Sequence, residues 1–452
     1  MHSNHSENKQ SRPIDRVEFA IAFDRCLREK VLPYWYDQTL DKVNGGYKLA
    51  DSHRTLRMRL GGVKVRLRLL LRKQFPSIGI KAKEKHIVSQ TRLVWTFSLA
   101  HRLGYNDSKR NYLQAAEFGY RFLIDHMLDK RFGGAFWKVD SQGNVLDSRK
   151  PLYGQAFAIY ALVEYYRVSG SEESLAHAVS LFRTIQAKMH DDKNSGWIEY
   201  VNADFSPLEP TELNPDLGII HVVGLKSGGS HLHWMEALSE LFAATGDASV
   251  RDALEEVLKI NTKYFFPREP ANCSLYFSPD WRPETKLNDG AIPCGHNIEF
   301  AWLMLRAQQV LQVPLTWDHF DALLMHALKF GFDHQRGGFY QYENYRNSSA
   351  FKTEKVWWVQ AEGLAALGDA LQHQSNKYYE TSLSLLLDWI WNHQMLSDGI
   401  WVASTDAEGK LMNCTKAGSW KAAYHEVRAL TKFIQAFSAI RESPAYPKHN
   451  PL

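Results

Sequence analysis

The sequence predicts an all-α chain folded as an (α/α)6 barrel, a ring of six helical hairpins with short β-hairpins in the loops at one end. Three observations carry this expectation. Glycine-aromatic turns recur, at Gly45-Gly46-Tyr47, Gly133-Gly134-Ala135-Phe136, Gly196-Trp197, Gly337-Gly338-Phe339 and Gly399-Ile400-Trp401, with a degenerate sixth near Ser274-Leu275-Tyr276-Phe277. Their spacing repeats, 63 positions from Gly133 to Gly196 and 62 from Gly337 to Gly399, as one supersecondary unit used six times would require. Between the turns, apolar residues fall at three- and four-residue steps, as in Leu113, Ala116, Tyr120, Leu123 and Met127, the pattern of a helix with one buried face.

The elements follow in order. Residues 1–14 are polar and read as a disordered terminus. The periodicity predicts helices over 15–33, 85–104, 110–128, 152–169, 172–190, 230–245, 248–265, 295–312, 317–332, 356–373, 376–395 and 420–441. These form a single domain over 15–441 and leave 442–452 as a tail. Ala135 to Asp140 reads as a strand entering the turn Ser141-Gln142-Gly143-Asn144. The first interval is stretched by a basic insertion at 53–84, with eight Lys or Arg between Arg54 and Lys73 and no acid before Glu84. Leu56 to Leu69 alternates about Gly61-Gly62 and reads as a β-hairpin, with Arg59 opposite Lys64 and Arg57 opposite Arg66. Like charges directly opposite are unfavourable, so this face is expected to meet an acidic surface or anionic ligand, or to lie solvated as a lid over the barrel mouth.

Composition narrows the function classes. With 452 residues, 44% of them hydrophobic, the chain can bury a large core. A net charge of +4 at this length gives no basic footprint for nucleic acid. No run approaches the roughly 18 apolar residues of a membrane span, and the first residues lack an apolar leader. Cys26, Cys273, Cys294 and Cys414 show no CxxC spacing, so neither a zinc cluster nor a disulfide framework is indicated. The expectation is a cytoplasmic monomer or homodimer with neither a nucleic-acid nor a membrane partner.

Polar side chains gather at the start of every second predicted helix. Arg92 lies on the second, Tyr153 on the fourth, His233 and Glu236 on the sixth, His296 and Glu299 on the eighth, Trp358 and Glu362 on the tenth, Trp420 and His425 on the twelfth. If these helices form an inner ring, their N-termini surround the barrel mouth, where the helix dipoles favour a developing oxyanion. Histidines titrate near neutrality, so a group of them suits removal of a proton from one face of a substrate and its return to the other. His231 lies two positions before His233, and no carboxylate stands beside the pair at metal-ligand spacing, so no metal is assigned.

Seven stretches carry a resemblance: Gln90 to Ser98, Leu152 to Ala158, His231 to Ala237, Asp280-Trp281-Arg282-Pro283, Gly295 to Glu299, Lys355 to Glu362 and Trp420 to Arg428. In this order, within Gly45 to about Leu430, they resemble the N-acylglucosamine 2-epimerase superfamily and its cellobiose 2-epimerase and mannose 2-epimerase branch. The resemblance implies reversible inversion at C2 of a free reducing sugar of the glucose or mannose type, alone or in a β-1,4-linked disaccharide, with no cofactor. Such inversion needs ring opening, loss of the C2 proton beside the C1 aldehyde, and reprotonation of the enediolate from the opposite face. The resemblance makes His296 and His425 the acid-base pair and Arg92 and His233 hydrogen-bond donors to the enediolate oxygens. It has Trp302, Trp358 and Trp420 stack on sugar faces, and Glu362 and Tyr153 bind hydroxyls. Glu299, three positions from His296 on one helical face, is expected to hold that ring.

The chain departs from the branch at Gly229, where cellobiose 2-epimerases usually have asparagine, and Ser227 and Ser230 are the residues placed to substitute for it. An aldose-ketose isomerase shares the enediolate and differs in whether the proton returns to C2 or C1. The same motifs also fit an N-acylglucosamine 2-epimerase or a non-catalytic sugar-binding protein. An (α/α)6 glycoside hydrolase would need two carboxylates across a glycosidic bond, and here the histidines outrank any such pair.

Overall fold

Left-handed backbone at the glycine turns sets the frame of the molecule. In the computed structural model, which describes residues 15–49, 84–208, 223–284, 292–344 and 353–438, Gly45, Gly46, Gly133, Gly134, Gly196, Gly337, Gly338 and Gly399 have φ between 64° and 83°. Glycine adopts this region without a Cβ clash. β-Bridges Leu40–Tyr47, Leu128–Ala135, His190–Trp197, Phe332–Phe339 and Met395–Trp401 close the five turns. The expected sixth, around Ser274, forms strand instead, and Phe277 bridges to Pro283.

Two further marks of the repeat emerge. A buried lysine pairs with the aspartate that opens four of the turns: Lys85 with Asp41 (3.1 Å), Lys150 with Asp129 (2.7 Å), Lys226 with Asp191 (2.9 Å) and Lys355 with Asp333 (2.8 Å). A glutamine then clamps the backbone after the glycines. Gln90 accepts from the Tyr47 N–H and donates to the Tyr47 carbonyl, both at 2.8 Å, and Gln155 and Gln360 do the same to Ala135 and Phe339.

Among the described residues the chain forms twelve helical rods. They are α1 over 16–39 (Arg16–Cys26, a π turn Leu27–Val31 and Leu32–Thr39), α2 Ile87–Arg102, α3 over 112–127, α4 Leu152–Ser169, α5 Glu172–Met189, α6 Gly228–Thr245, α7 over 248–265, α8 Cys294–Leu311, α9 Trp317–Gly331, α10 Trp357–His373, α11 over 377–394 and α12 Tyr424–Phe437. Each even-numbered helix packs against the next, and α12 returns to α2, which closes an inner ring; the odd-numbered helices pack outside it. The (α/α)6 barrel expected from the sequence is the fold. No helix of the described residues is long and apolar enough to cross a membrane.

Burial follows this layering. The outer helix α5 buries one stripe, Ser174, Ala178, Leu181, Phe182, Ile185 and Met189, and is capped by Ser171, whose side chain accepts from the Ser174 N–H. The inner helix α4 buries every residue from Leu152 to Tyr165 and ends at Gly170, whose φ of 68° forms a left-handed C-cap.

Short antiparallel strands feed the inner ring. They are β1 Glu84–His86, β2 Lys138–Asp140, β3 Val145–Asp147, β4 Lys150–Pro151, β5 Tyr200–Val201, β6 Lys226–Ser227, β7 Tyr276–Phe277, β8 Lys355–Val356, β9 Ser404–Thr405 and β10 Leu411–Asn413. The pairings run β1-β2-β3, β4-β5, β6-β7 and β10-β9-β8. Strands β1, β4, β6 and β8 run directly into α2, α4, α6 and α10, so the hairpins and the inner-helix N-termini share one end of the barrel.

Two helix boundaries differ from expectation. The first helix passes Pro33, because the π turn ahead of it lets the rod resume with proline at a position where an N–H is not needed. The twelfth starts at Tyr424, so Trp420 and Lys421 lie in the preceding turn. The predicted basic hairpin of the 53–84 insertion lies outside the described residues, apart from Glu84 in β1.

Candidate active site

The first turns of α6 separate two neighbouring histidines by role. Residue 231 is the fourth of its helix, as Gln90, Gln155 and Gln360 are of theirs, and His231 takes over the glutamine's work. Its Nε2 accepts from the Trp197 N–H at 3.2 Å and its Nδ1–H donates to the Ser227 carbonyl at 2.8 Å. Burial lowers its pKa to about 3, so it is a neutral core residue. His233 turns into the barrel instead, with its Nδ1–H donated to Glu236 at 2.8 Å. His231→Gln is therefore expected to keep the melting temperature and kcat/KM close to those of the unmodified protein. A more than tenfold drop in kcat/KM with unchanged melting would instead place His231 in the chemistry.

Arg428 on α12 is the centre of the site; it ends the Trp420 to Arg428 stretch, but the sequence alone assigns it no role. It is 2% exposed, and its guanidinium meets three carboxylates from three other inner helices: Glu236 through Nη1, and Glu299 (2.6 Å) and Glu362 (2.7 Å) through Nη2. Rings of Tyr424 and Trp302 lie 4.2 and 4.6 Å from its Cζ. The Tyr424 hydroxyl also donates to Glu236. One cation among three buried acids leaves negative charge in excess. Burial and the charge of Glu362 push Glu299 well above the usual carboxylate range. For Glu236 and Glu362, burial acts the same way, but Arg428 and the histidine bonds outweigh it and hold both below that range.

Two of these carboxylates orient imidazoles. His425 donates its Nδ1–H to Glu362 at 2.7 Å, as His233 does to Glu236. Since a carboxylate of lowered pKa accepts, each ring carries its proton on Nδ1 and leaves Nε2 as a free lone pair. His296 is held differently: its Nδ1 is buried with no hydrogen-bond partner among the described residues, and its ring packs at 4.9 Å against Trp358. The same Trp358 ring lies 5.8 Å from His425, so one indole touches both members of the expected acid-base pair. On α2, next to α12 in the ring, Arg92 donates to the Tyr153 hydroxyl (2.9 Å) and the Trp420 carbonyl, while its Nε is buried without a partner among the described residues. Tyr153 and Phe157 enclose His233, with ring centroids at 4.8 and 4.7 Å.

Burial lowers the pKa of all three imidazoles, that of His296 from 6.5 to about 4 despite the opposing charge of Glu362. A folded pKa below the unfolded one means that, under acid, the unfolded chain binds protons that the folded one refuses. Stability is then fully present above about pH 6.5 and is lost as pH falls toward 4. Thermal melts across this range are expected to show that decline, and the acid limb of kcat/KM is expected below pH 6.5. A stability maximum near pH 5 would contradict the assignment.

With this geometry in place, the comparisons with known proteins are informative. Residues 77–429 match the family model for N-acylglucosamine 2-epimerase (GlcNAc 2-epimerase). The chain belongs to the N-acylglucosamine 2-epimerase family. It is 27% identical over 414 residues to cellobiose 2-epimerase of Bacteroides fragilis, covering 90% of this chain and 96% of that one. The structure of cellobiose 2-epimerase from Spirochaeta thermophila superposes with a TM-score of 0.78 at 28% identity, covering 93% of this chain and 97% of that one. D-mannose isomerase of Marinomonas mediterranea is 22% identical, over 78% of this chain and 87% of its own.

In this N-acylglucosamine 2-epimerase family member several expected contacts are rearranged. Glu299 does not hold His296; it bonds Arg428, because α12 brings the guanidinium between the helices that carry the glutamates. Glu362 is 1% exposed and already serves His425, Arg428 and the Trp302 Nε1–H (3.0 Å), so it orients groups of the protein. Trp302, 4% exposed and covered by Arg428, lies beneath the site and offers no sugar platform, whereas Trp358 and Trp420 keep partly exposed faces. Ser227 and Ser230 do not replace the missing asparagine: both hydroxyls donate to Glu199, a buried carboxyl that desolvation raises to about 7. Glu299, Glu362 and His425 place potential ligand atoms within 4.8 Å of one another, but Arg428 already bonds both carboxylates and supplies the countercharge a metal would bring. The missed residues Arg428 and Tyr424 had one local signal. Both lie within the Trp420 to Arg428 stretch, and Arg428 is three positions after His425, on the same helical face.

Proposed function

We propose that this family member is a carbohydrate 2-epimerase that inverts C2 of a free reducing sugar through an enediolate, with His296 and His425 as the two proton-transfer bases. The observation that carries the reading is the Trp358 ring in contact with both imidazoles, which supports the two acting on one substrate. A sugar bound between the two histidine edges presents one face to each. One imidazole removes the C2 proton while the other, protonated, delivers to the opposite face. Glu362 stabilises the imidazolium form of His425 as it appears. Arg92 supplies hydrogen bonds where the enediolate charge develops, and the loss of one such preorganised donor costs roughly 3–4 kcal/mol of transition-state stabilisation. His233 is not the second donor expected from the sequence: its Nδ1–H is committed to Glu236 and its Nε2 is a lone pair, which accepts from a sugar hydroxyl. Positioned acid-base groups contribute about 10² to 10⁴-fold each.

The sugar is of the glucose or mannose type, alone or β-1,4-linked, in line with the names of the cellobiose 2-epimerases it resembles. The D-mannose isomerase relative favours a second reading, return of the proton to C1 to give a ketose. Incubation in D2O with mannose, glucose, cellobiose and N-acetylmannosamine, followed by NMR, tests both. Deuterium at C2 together with a C2 epimer is the expected result. A ketose labelled at C1 would move the assignment to isomerase, and no exchange with any sugar would defeat it.

A further inference from the structure

Gly229 is a glycine that neither its backbone nor its packing explains. It is the second residue of α6 and, unlike the turn glycines, has no left-handed φ, so any L-residue fits its backbone. The preceding Gly228 is different, since a Cβ there would lie 3.0 Å from a ring carbon of Phe265. A Cβ on Gly229 would meet a single atom within 4 Å among the described residues, His296 Nε2, at 3.6 Å, an ordinary van der Waals separation. Glycine disfavours a helix relative to alanine, so the fold would gain from a side chain here. The hydroxyls that flank it, on Ser227 and Ser230, are committed to Glu199 and do not turn toward His296. With Nδ1 of His296 buried, Nε2 is the edge left for chemistry, and it faces a bare Cα.

We infer that Gly229 is a specificity-determining position, keeping room beside His296 Nε2 for a substituent larger than hydroxyl on C2 or C3 of the sugar. This rests on the epimerase reading above, which puts C2 at His296. Groups on the reacting carbon or its neighbour are the ones that reach a point in van der Waals contact with the base. Those on more distant carbons, such as a sugar linked through O4, are carried away from it. A side chain at 229 and such a substituent compete for one volume, so enlarging residue 229 penalises the substituted sugar and spares its parent by comparison.

The test compares the full-length protein with Gly229→Ala and Gly229→Asn. The readout is the rate of deuterium entry at C2, as kcat/KM, for two pairs: mannose against N-acetylmannosamine, and glucose against 3-O-methylglucose. The unmodified protein is expected to favour the substituted member of at least one pair, and Gly229→Asn to lower that substituted-to-parent ratio at least fivefold, with Gly229→Ala between. Both variants are expected to melt no lower than the unmodified protein, because the new Cβ makes only an ordinary contact. A ratio that moves less than fivefold in Gly229→Asn, or a preference for the parent in both pairs, overturns the inference while leaving the epimerase reading intact. Exchange with cellobiose but with none of the four sugars overturns the inference alone, whereas no C2 exchange by the unmodified protein with the four sugars or with cellobiose defeats the epimerase reading, and this inference with it.

Discussion

His425→Gln and His296→Gln are each expected to lower epimerisation about 10² to 10⁴-fold, the contribution of a positioned acid-base group. The more discriminating result concerns isotope exchange. In the proposed two-base mechanism, loss of one base leaves the other able to remove and return the C2 proton on its own side. Each variant is then expected to wash deuterium into C2 of one epimer without converting it, and the two variants are expected to do so with opposite epimers. His425 differs from His296 in its support, because Glu362 holds its Nδ1–H at 2.7 Å while His296 rests on ring packing with Trp358. Glu362→Gln is accordingly expected to disturb the epimer that uses His425 more than the other. Exchange of both epimers abolished equally by either histidine variant would point to a single base and sink the two-base mechanism.

Arg428→Met is expected to destabilise the protein by about 3–5 kcal/mol, the usual cost of removing one partner from a buried ion pair. The methionine fills much of the space but leaves Glu236, Glu299 and Glu362 facing one another without the guanidinium that now bonds all three. Urea unfolding at neutral pH measures this directly. Glu299→Gln serves as the comparison. Burial, then the charge of Glu362, raises the Glu299 pKa, and a raised folded pKa gives an acid stability that is lost as pH rises through that value. A neutral amide escapes this loss, so Glu299→Gln is expected to be at least as stable as the unmodified protein at mildly alkaline pH. If Arg428→Met unfolded at the same urea concentration as the unmodified protein, Glu236 and Glu362 could not be held ionised by the guanidinium as described.

The outcomes divide by the range over which each property is decided. The inner and outer helices were legible because three- and four-residue apolar steps and glycine turns are properties of short windows. Their boundaries matched within a few residues except where the π turn carried α1 past Pro33 and where α12 began at Tyr424. The same windows placed Arg92, His233, His296, Glu299, Glu362 and His425 on the inner ring, where each lies. The Lys–Asp pairs and Gln clamps were equally repetitive but went unread, because each pair joins residues tens of positions apart with no apolar signature.

By itself, then, the sequence determined the barrel, its six-fold repeat and the end at which polar side chains collect, since φ preference and helical periodicity act through neighbours along the chain. Only the tertiary structure decided which carboxylate serves which base. Arg428 lies 192, 129 and 66 positions from Glu236, Glu299 and Glu362. Spacing along one helix suggested Glu299 for His296, but a buried guanidinium attracts carboxylates from every wall of the barrel, and this outweighs a three-residue proximity on a single helix. The contrast between His231 and His233 was settled the same way, by whether Trp197 or Glu236 stood within reach of the ring. Hydrogen-bond partners that converge on a barrel axis are chosen by ring closure, which no local stretch of sequence encodes.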